Sequence, residues 1–397
     1  MFSQIFSSRS DPQPAHFLVV DVGTTGVKGI IFDNTGVVKA RSYRLLAKRT
    51  GENGLVEQDP MEMLAASLFV IRSVLVVAKL KASDLKSFGL TNQRETTILW
   101  DKRTGLPVYP AIVWEDSRTE SWCKNIEKKY GQEIREKTGL RAESYFSASK
   151  IRWILDNVAT ASQVAQKDAL LFGTVDSWLL WNLTDEAVHA TDYTNASRSL
   201  LFNIKTMAWD EDLLSYFGVP INILPAVRPS ADRFGMLRGD ILATSLPVRA
   251  VCGDQEASTV AAGVGRGVTK VTFGTGAFIV QGLGGDFHLH NDFYTTLVPS
   301  ARGPEYVLES KVAGFGPQVS KYLNDPVKLQ PVLQQLAEQT VAVLSKLPLP
   351  YEKIIIDGGI SQSDYFVGQL ERLTKVKIER QKIYDGTALG MWQLLQY

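Results

Sequence analysis

The sequence is poor in the features that tie a protein to an oxidising compartment, to nucleic acid or to a membrane. Its 397 residues include two cysteines, Cys123 and Cys252, which cannot build a disulfide framework, so we expect a reducing, cytoplasmic compartment. The 43 basic and 42 acidic side chains nearly cancel, which excludes attraction of nucleic acid or anionic lipid by overall charge. No uninterrupted apolar run approaches the roughly 18 residues of a membrane span, so we expect no span. Residues 1–16 lack the apolar core of a secretory signal and are interpreted as a tail.

The apolar pattern of the first half of the chain is typical of an α/β protein. Strand-like runs alternate with stretches of helical apolar spacing, which predicts layers of helices packed on a sheet. The length exceeds what one hydrophobic core usually supports, so two domains are expected. The predicted strands lie at 17–33, 36–45, 86–91 and 96–101, the predicted helices at 60–80 and 120–137, and the predicted domains at 17–250 and 251–397.

Two hairpin patterns carry more polar groups than a turn needs. The stretch FLVVDVGTTGVKGIIFD at residues 17–33 places two threonines and a lysine around a glycine turn, although Asn-Gly or Asp-Gly would suffice. Glycine lets backbone N–H groups approach an anion and threonine adds donors, so we interpret the turn as a phosphate cradle. The pattern returns in VTKVTFGTGAFIVQGL at 268–283. Plain hairpins remain the alternative, and no segment matches the P-loop pattern G-x-x-x-x-G-K-[ST].

Two carboxylates follow apolar runs at positions suited to phosphoryl transfer. Asp21 ends the first run, and Asp254 follows the run VRAVCG. Such a transfer needs a held metal–nucleotide and a base near the acceptor hydroxyl. We assign Asp254 as general base and Asp21 as the group that positions Mg²⁺ through water. A turn or helix-capping aspartate is the alternative for either residue alone.

The stretch GLTNQRETTILWD at residues 89–101 is the candidate acceptor site. Arg94 and Glu95 supply a donor fork and an acceptor, which suits recognition of adjacent hydroxyls in a small polyol. Trp114 and Tyr145 are candidates for the walls around its carbon chain. The alternative is a solvated loop with aromatic residues that are simply packed.

Taken in order, these motifs resemble those of the FGGY carbohydrate kinases, a family of the actin-like ATPase superfamily. The similarity runs almost without interruption from Phe17 to about Ile279. TNQRETT, FGTVDSWL and TDYTNASR are characteristic of the members that phosphorylate glycerol, as against those that act on xylulose, ribulose or gluconate. The other matching segments are DVGTTGVKGIIFD, AIVWEDSRT, YFSASKIRWILDN, LLFGTVDSWLLWNLT, GDQEAS and FGTG.

The resemblance implies a fold, a reaction and a set of site residues. The fold would be α/β, with two actin-like (RNase H-like) domains and a nucleotide cleft between them. The reaction would use ATP and Mg²⁺ to convert glycerol to sn-glycerol 3-phosphate, and a homodimer would fit the family. The residues in contact with glycerol would be Arg94, Glu95, Trp114, Tyr145, Asp254 and Gln255. The nucleotide phosphates would face Thr24, Thr25 and Lys28, where many relatives have an arginine in place of Lys28. ATP would contact Thr275, Gly316, Gly359 and Ser363, where many relatives have an asparagine in place of Ser363.

The second domain departs from the family pattern. After LESKVAGFGPQVSKYLND the family continues through a long stretch with a G-x-G-A-P-Y-W-D-like signature, and here several dozen residues are absent. The chain also stops soon after DGTALG, so a shortened second domain is expected. This shortening threatens closure over the nucleotide more than recognition of the polyol. The alternatives are another FGGY polyol or ketose kinase, a glycerol-binding pseudoenzyme without turnover and, more distantly, a filament-forming actin relative.

Overall fold

The computed structural model describes residues 16–273, 277–312, 316–351, 353–381 and 385–397, without the side chains of residues 317 and 318. Its strands are β1 (His16–Val22), β2 (Gly26–Phe32), β3 (Val38–Leu45), β4 (Arg49–Thr50), β5 (Val56–Gln58), β6 (Leu85–Asn92), β7 (Ile98–Asp101), β8 (Leu106–Pro107), β9 (Ala111–Ile112), β10 (Leu170–Gly173), β11 (Ala190–Asp192), β12 (Phe202–Asn203), β13 (Ala208–Trp209), β14 (Ala226–Arg228), β15 (Met236–Leu237), β16 (Leu246–Gly253), β17 (Val268–Phe273), β18 (Ala277–Gly284), β19 (Tyr294–Ser300), β20 (Gly303–Val312), β21 (Lys353–Asp357) and β22 (Ile378–Arg380). Its helices are α1 (Pro60–Ala78), α2 (Glu120–Thr138), α3 (Ser147–Asn157), α4 (Ala159–Gln166), α5 (Val175–Leu183), α6 (Tyr193–Ala196), α7 (Glu211–Phe217), α8 (Gly239–Leu242), α9 (Asp254–Ala261), α10 (Gly316–Tyr322), α11 (Pro326–Leu344), α12 (Asp364–Thr374) and α13 (Gly386–Leu394).

The first lobe is built on a six-stranded sheet in the order β15-β16-β6-β1-β2-β3. Its centre is parallel, β1 against β6 and β6 against β16, while β1 and β2 form the predicted antiparallel hairpin. The predicted strands and helices of the first half are confirmed to within a few residues at their ends. Apolar residues of β1 and β2 are buried on both faces, because helices cover each side of the sheet.

The second lobe repeats this plan. Its six-stranded sheet has the order β19-β20-β18-β17-β21-β22, with β17 antiparallel to β18 and parallel to β21. The hairpin predicted at 268–283 is therefore confirmed, although its turn, residues 274–276, lies outside the described residues. The repeat of hairpin plus parallel strand in both lobes gives the molecule its two-domain, actin-like architecture.

The last helix joins the two lobes. Although α13 follows the strands of the second sheet, it packs on α9 and on β1 of the first lobe. Ala388, Met391 and Leu394 share one buried apolar cluster with Phe17 and Val19 of β1. In addition β16, which crosses the predicted domain boundary after residue 250, stays in the first sheet to Gly253. The second lobe thus contributes α13 to the packing of the first lobe. A division of the chain between residues 250 and 251 therefore does not separate the elements that pack in the first lobe from those that pack in the second.

Among the described residues one helix, α1, is long and apolar enough to cross a membrane by length and composition alone, with a mean hydropathy of 2.0. The expectation of no membrane span was drawn from the length of uninterrupted apolar runs. Arg72 interrupts such a run in α1 but lowers the mean hydropathy of the helix only slightly, so the helix still passes a test based on the mean. The helix lies against β2 and β3, with Val70 and Ile71 in the core of the first lobe. Gly29 of β2 permits this close approach, since a Cβ there would stand 2.8 Å from the carbonyl oxygen of Val70. The core helix of a globular domain passes the same test.

Candidate active site

The parallel strands bring the predicted catalytic segments to one edge of the first sheet. Asp21 of β1 is in register with Thr91 of β6, and Gly253 of β16 is in register with Asn92. The residues that follow β6 and β16 therefore emerge side by side. Open α/β sheets bind their ligands at this carboxyl edge.

The loop that follows β6 is buried, which rules out the alternative of a solvated loop. Gln93, Arg94 and Glu95 are each no more than 4% exposed. Glu95 has a φ of +61°, in the left-handed region that side-chain-bearing residues rarely adopt. Its carbonyl oxygen accepts hydrogen bonds from the hydroxyls of Thr97 and Ser147, both at 3.0 Å, which hold this conformation. The loop is thus a rigid platform for polar side chains.

Arg94 is the centre of this platform. Its Nη1 donates to Oε1 of Glu256 at 2.5 Å and to Oε2 of Glu309 at 2.9 Å, and its Nη2 donates to Oε1 of Glu309 at 2.9 Å. Its Nε lies 3.8 Å from Oε1 of Glu95 and 3.8 Å from Oδ1 of Asp254. The Nε edge therefore faces the two carboxylates that were assigned to the acceptor.

A second buried arginine holds Glu95 in place. Arg198 is fully buried and donates from Nε to Oε1 of Glu95 at 2.6 Å. Its guanidinium carbon lies 5.0 Å from the ring centre of Phe146 and 5.6 Å from that of Tyr145. Aromatic faces stabilise a cation in such a dry position. The orientation of Glu95 is consequently fixed before any ligand binds.

Asp254 is the most accessible carboxylate of the group. It is the first residue of α9, and 39% of its side chain is exposed. Desolvation by the surrounding protein, with the nearby charges of Asp21 and Glu95, raises the pKa of Asp254 to about 7, against the opposing effect of Arg94. A carboxylate with this pKa can accept a proton near neutral pH. The side-chain nitrogen of Gln255 next to it is buried and has no hydrogen-bond partner among the described residues.

The aromatic residues form a corner beside these groups. The rings of Trp114 and Tyr145 meet edge to face with their centres 5.6 Å apart. The indole N–H of Trp114 donates to Oγ1 of Thr24 at 2.9 Å, and that hydroxyl donates to Oε1 of Gln93 at 3.0 Å. Thr24 is therefore committed to bonds within the protein and ties the hairpin turn to the aromatic corner. Thr25, in contrast, is exposed at the tip of the turn.

Lys28 lies between two carboxylates behind the same turn. Its Nζ is 3.4 Å from Oδ2 of Asp21 and 3.2 Å from Oδ1 of Asp385 at the start of α13. Burial opposes the charge of Lys28, but the two carboxylates raise its pKa above the usual value. Burial in turn raises the pKa of Asp21. Within the described part of the chain no group of three or more Asp, Glu, His or Cys side chains is arranged to hold a metal.

The nucleotide positions predicted in the second lobe include Thr275, which lies outside the described residues. Thr272 of β17 is in register with Asp357 of β21, so the glycines that follow Asp357 leave the sheet beside the end of β17. Open space surrounds the position where a Cβ of Gly359 would stand, which suits close approach of a ligand. Ser363 accepts from the backbone N–H of Phe366 at 3.3 Å and caps α12, while Gly316 begins α10.

Several polar residues of the site were not among the predicted ones. Their shared property is a partner far along the chain: Arg94 and Glu309 are 215 positions apart, and Arg198 and Glu95 are 103 positions apart. No local pattern marks such pairs. The signal that was available is their position in segments that were compared with the family, namely TNQRETT, TDYTNASR, GDQEAS, LESK and DGTALG. The residues are Gln93, Arg198, Glu256, Glu309 and Asp385.

Two lobes of repeated α/β plan, with a partly exposed carboxylate and a buried polar platform at the strand ends, are the architecture of a sugar-kinase-like protein. The profile described as "FGGY family of carbohydrate kinases, N-terminal domain" matches residues 16–261. The chain belongs to the FGGY family of carbohydrate kinases.

Individual relatives agree with this assignment. The chain is 41% identical over 316 residues to a glycerol kinase of Polaromonas naphthalenivorans, covering 78% of this chain and 63% of that protein. It is 34% identical over 438 residues to glycerol kinase 1 of Clostridium tetani, covering 94% and 88%. Among solved structures it is similar to Plasmodium falciparum glycerol kinase with ADP, with a TM-score of 0.88, 26% identity and coverage of 96% and 89%. A ligand-bound xylulose kinase from Lactobacillus acidophilus shares the fold, with a TM-score of 0.83 at 17% identity.

The chain is short for its family. The matches to the first relatives span less than two thirds of those proteins, 63% for the Polaromonas naphthalenivorans protein. The alignment with the Clostridium tetani protein runs over 438 residues, more than the 397 of this chain. That relative therefore has residues within the aligned region that this chain lacks, in agreement with the expected deletion.

Proposed function

We propose that this protein transfers the γ-phosphoryl group of ATP to glycerol and releases sn-glycerol 3-phosphate and ADP. The observation that carries the proposal is the juxtaposition of Asp254, a partly exposed carboxylate, with the Nε edge of Arg94 at 3.8 Å beside Glu95. The aromatic corner of Trp114 and Tyr145 adjoins them. Vicinal hydroxyls on a short carbon chain match the Nε donor of a guanidinium, two carboxylate acceptors and an apolar wall. The sequence relatives named glycerol kinase support glycerol as the acceptor.

In the proposed reaction Arg94 and Glu95 orient the polyol and Asp254 receives the proton. As the acceptor oxygen forms its bond to the γ-phosphorus, the bond from that phosphorus to the ADP oxygen breaks and the hydroxyl proton passes to Asp254. The aromatic walls exclude water from one side of the acceptor. The side-chain nitrogen of Gln255, unpaired within the described residues, is free to donate to a polyol oxygen.

The phosphate side of the proposal uses the first hairpin and the second-lobe turns. Lys28 supplies positive charge beside Asp21, and Thr25 is exposed at the tip of the turn, where it is accessible to a phosphate. The open position at Gly359 fits the nucleotide. Mg²⁺ fits the carboxylate of Asp21, on which Lys28 is the only side-chain partner among the described residues and engages Oδ2 alone. When bound, Mg²⁺ would offset the charge of the phosphates. Thr275, Gly316 and Ser363 remain proposed ATP contacts, the cytoplasm remains the proposed compartment, and a homodimer remains the proposed assembly.

The test is ADP release from Mg-ATP in the presence of glycerol, with Asp254→Asn as the inactive variant. The amide keeps the shape of the carboxylate but cannot take a proton, so we expect kcat to fall by about 10² or more with the fold intact. Asp240→Asn is the matched control, because Asp240 is an exposed aspartate that pairs with Arg238 on the surface. Turnover by Asp254→Asn close to that of Asp240→Asn would contradict the assignment of the base.

The shortness of the chain supports a second candidate, a protein that binds glycerol without turnover. The Clostridium tetani protein carries residues within the aligned region that this chain lacks. We assign this loss to the second lobe, where it would weaken closure over ATP. Folded protein that binds glycerol but neither binds ATP nor releases ADP would favour this candidate. A screen of polyols and ketoses in the same assay separates a glycerol kinase from another FGGY kinase.

A further inference from the structure

A buried cluster of five ionisable side chains lies where the lobes meet. Each of its members is no more than 4% exposed. Four of them belong to the first lobe and to α9, and one comes from β20 of the second sheet. A charge buried without a partner is strongly destabilising, so the members depend on one another. They are Arg94, Glu95, Arg198, Glu256 and Glu309.

Glu309 is the contribution of the second lobe, and both of its carboxylate oxygens are engaged. Oε2 accepts from Nη1 of Arg94 at 2.9 Å, and Oε1 accepts from Nη2 of Arg94 at 2.9 Å and from Nη2 of Arg198 at 3.3 Å. The two bonds to Arg94 form a bidentate pair, which fixes the plane of the guanidinium as well as its position. Although burial opposes it, the two arginines lower the pKa of Glu309, so the carboxylate is ionised.

This pairing leaves one edge of Arg94 for the acceptor. Nη1 and Nη2 are occupied by Glu309 and Glu256, whereas Nε has its neighbouring carboxylates only at 3.8 Å. The direction in which Nε points is therefore set by a residue that belongs to the other lobe. Arg198, which Glu309 also contacts, is the residue that holds Glu95.

We propose that Glu309 is a positioning residue through which the second lobe completes the acceptor site, by clamping Arg94 and, through Arg198, Glu95. This inference rests on the proposed function, because it assigns the two clamped side chains to the acceptor. It implies that acceptor affinity depends on the docking of β20 against the first lobe. A Glu309 that served only as a stabilising ion pair would change unfolding without changing acceptor affinity selectively.

Glu309→Gln and Glu309→Asp test the proposal in the full chain. The amide presents an N–H to an arginine that has no acceptor to offer, and the shorter carboxylate keeps the charge but cannot span both Nη atoms. We expect each variant to raise KM for glycerol about tenfold or more, with KM for ATP changed by less than about twofold, because a misaligned group weakens only the binding that it makes. Glu305→Gln on the same strand, whose side chain takes no part in the cluster, is the control and should match the wild type.

The outcomes separate this inference from the proposed function. Wild-type turnover with unchanged glycerol KM in both Glu309 variants overturns the clamp and leaves the function standing. Equal rises in KM for glycerol and for ATP indicate general loosening and also overturn it. A wild type that binds glycerol without turnover refutes catalysis, and the clamp is then decided by glycerol Kd in calorimetry, where the same tenfold loss is expected. A wild type that binds no glycerol refutes both.

Discussion

Asp254 combines two properties that rarely coincide, a carboxylate open to the cleft and a pKa raised to about 7. Its helix places it on the side of Arg94 that the two buried glutamates leave free. A proton acceptor with this pKa loses its function when protonated. In the proposed reaction, proton uptake below about pH 7 therefore removes the form of Asp254 that can act as a base.

The pH dependence of kcat/KM for glycerol follows from this pKa. Below the pKa of Asp254 the group is protonated and cannot act as a base, so we expect kcat/KM to rise about tenfold per pH unit up to about pH 7 and then to level off. Steady-state kinetics between about pH 5.5 and pH 8.5 measure the profile. The residual activity of Asp254→Asn, in which the base is gone, should lack this limb. A wild-type profile that stays flat through pH 7 would count against Asp254.

At the scale of elements, the contact of α13 with α9 depends on one glycine. A Cβ on Gly390 would stand 1.7 Å from the carbonyl oxygen of Ala257, far inside the contact distance. The two helices therefore approach each other at backbone distance. Any side chain at this position forces them apart and opens the apolar cluster below.

Gly390→Ala should consequently destabilise the protein by about 2 kcal/mol or more, through overpacking that outweighs the better helix propensity of alanine. The matched control is Gly368→Ala in α12, where nothing lies within 4 Å of the added Cβ. There the propensity gain acts alone, and we expect stabilisation of about 0.5–1 kcal/mol. Urea unfolding of the two variants compares them. Similar free energies of unfolding for both would show that the helices adjust at little cost.

Local sequence predicted some of these elements and not others, for a physical reason. The hairpins and α1 follow from apolar runs and glycine turns, which act over a few residues. The burial of residues 93–97 does not follow from local sequence. The charged partners of Arg94 and Glu95 lie at least 100 positions away along the chain, and they are Arg198, Glu256 and Glu309. The commitment of Thr24 to Trp114 was hidden for the same reason. Patterns along the chain identify which groups carry chemistry, whereas their partners are decided by the packing of the lobes.

For the whole molecule, the lobes are held together by backbone contacts as well as charges. The N–H of Thr295 in β19 donates to the carbonyl oxygen of Gly139 at 3.0 Å, and the hydroxyl of Tyr306 in β20 donates to that of Ile204 at 2.9 Å. Gly139 has a φ of +74°, and a Cβ there would stand 2.2 Å from the carbonyl oxygen of Thr295. These contacts bring the second lobe against the first, and with them Glu309 against the acceptor platform.

If the proposed function holds, hydrolysis of ATP should stay slow when no acceptor is present. Water is an abundant competing nucleophile, so we expect the site to close fully only when glycerol is bound. We expect ADP release without glycerol to be at most about 1% of the rate at saturating glycerol, because water would meet an incompletely closed site. Parallel assays with and without glycerol, using contaminant-free enzyme and Asp254→Asn as the background, measure it. Equal rates in both assays would refute closure.

The placement of α13 has a consequence for biosynthesis. Phe17, Val19, Ile30 and Phe32 of the first hairpin leave the ribosome long before Met391 and Leu394, which cover them. The nascent first lobe thus exposes an apolar sheet face throughout synthesis of the second lobe. Until α13 arrives, that face is a binding site for chaperones and for other unfinished chains. An expressed fragment of residues 16–261 would keep it uncovered permanently.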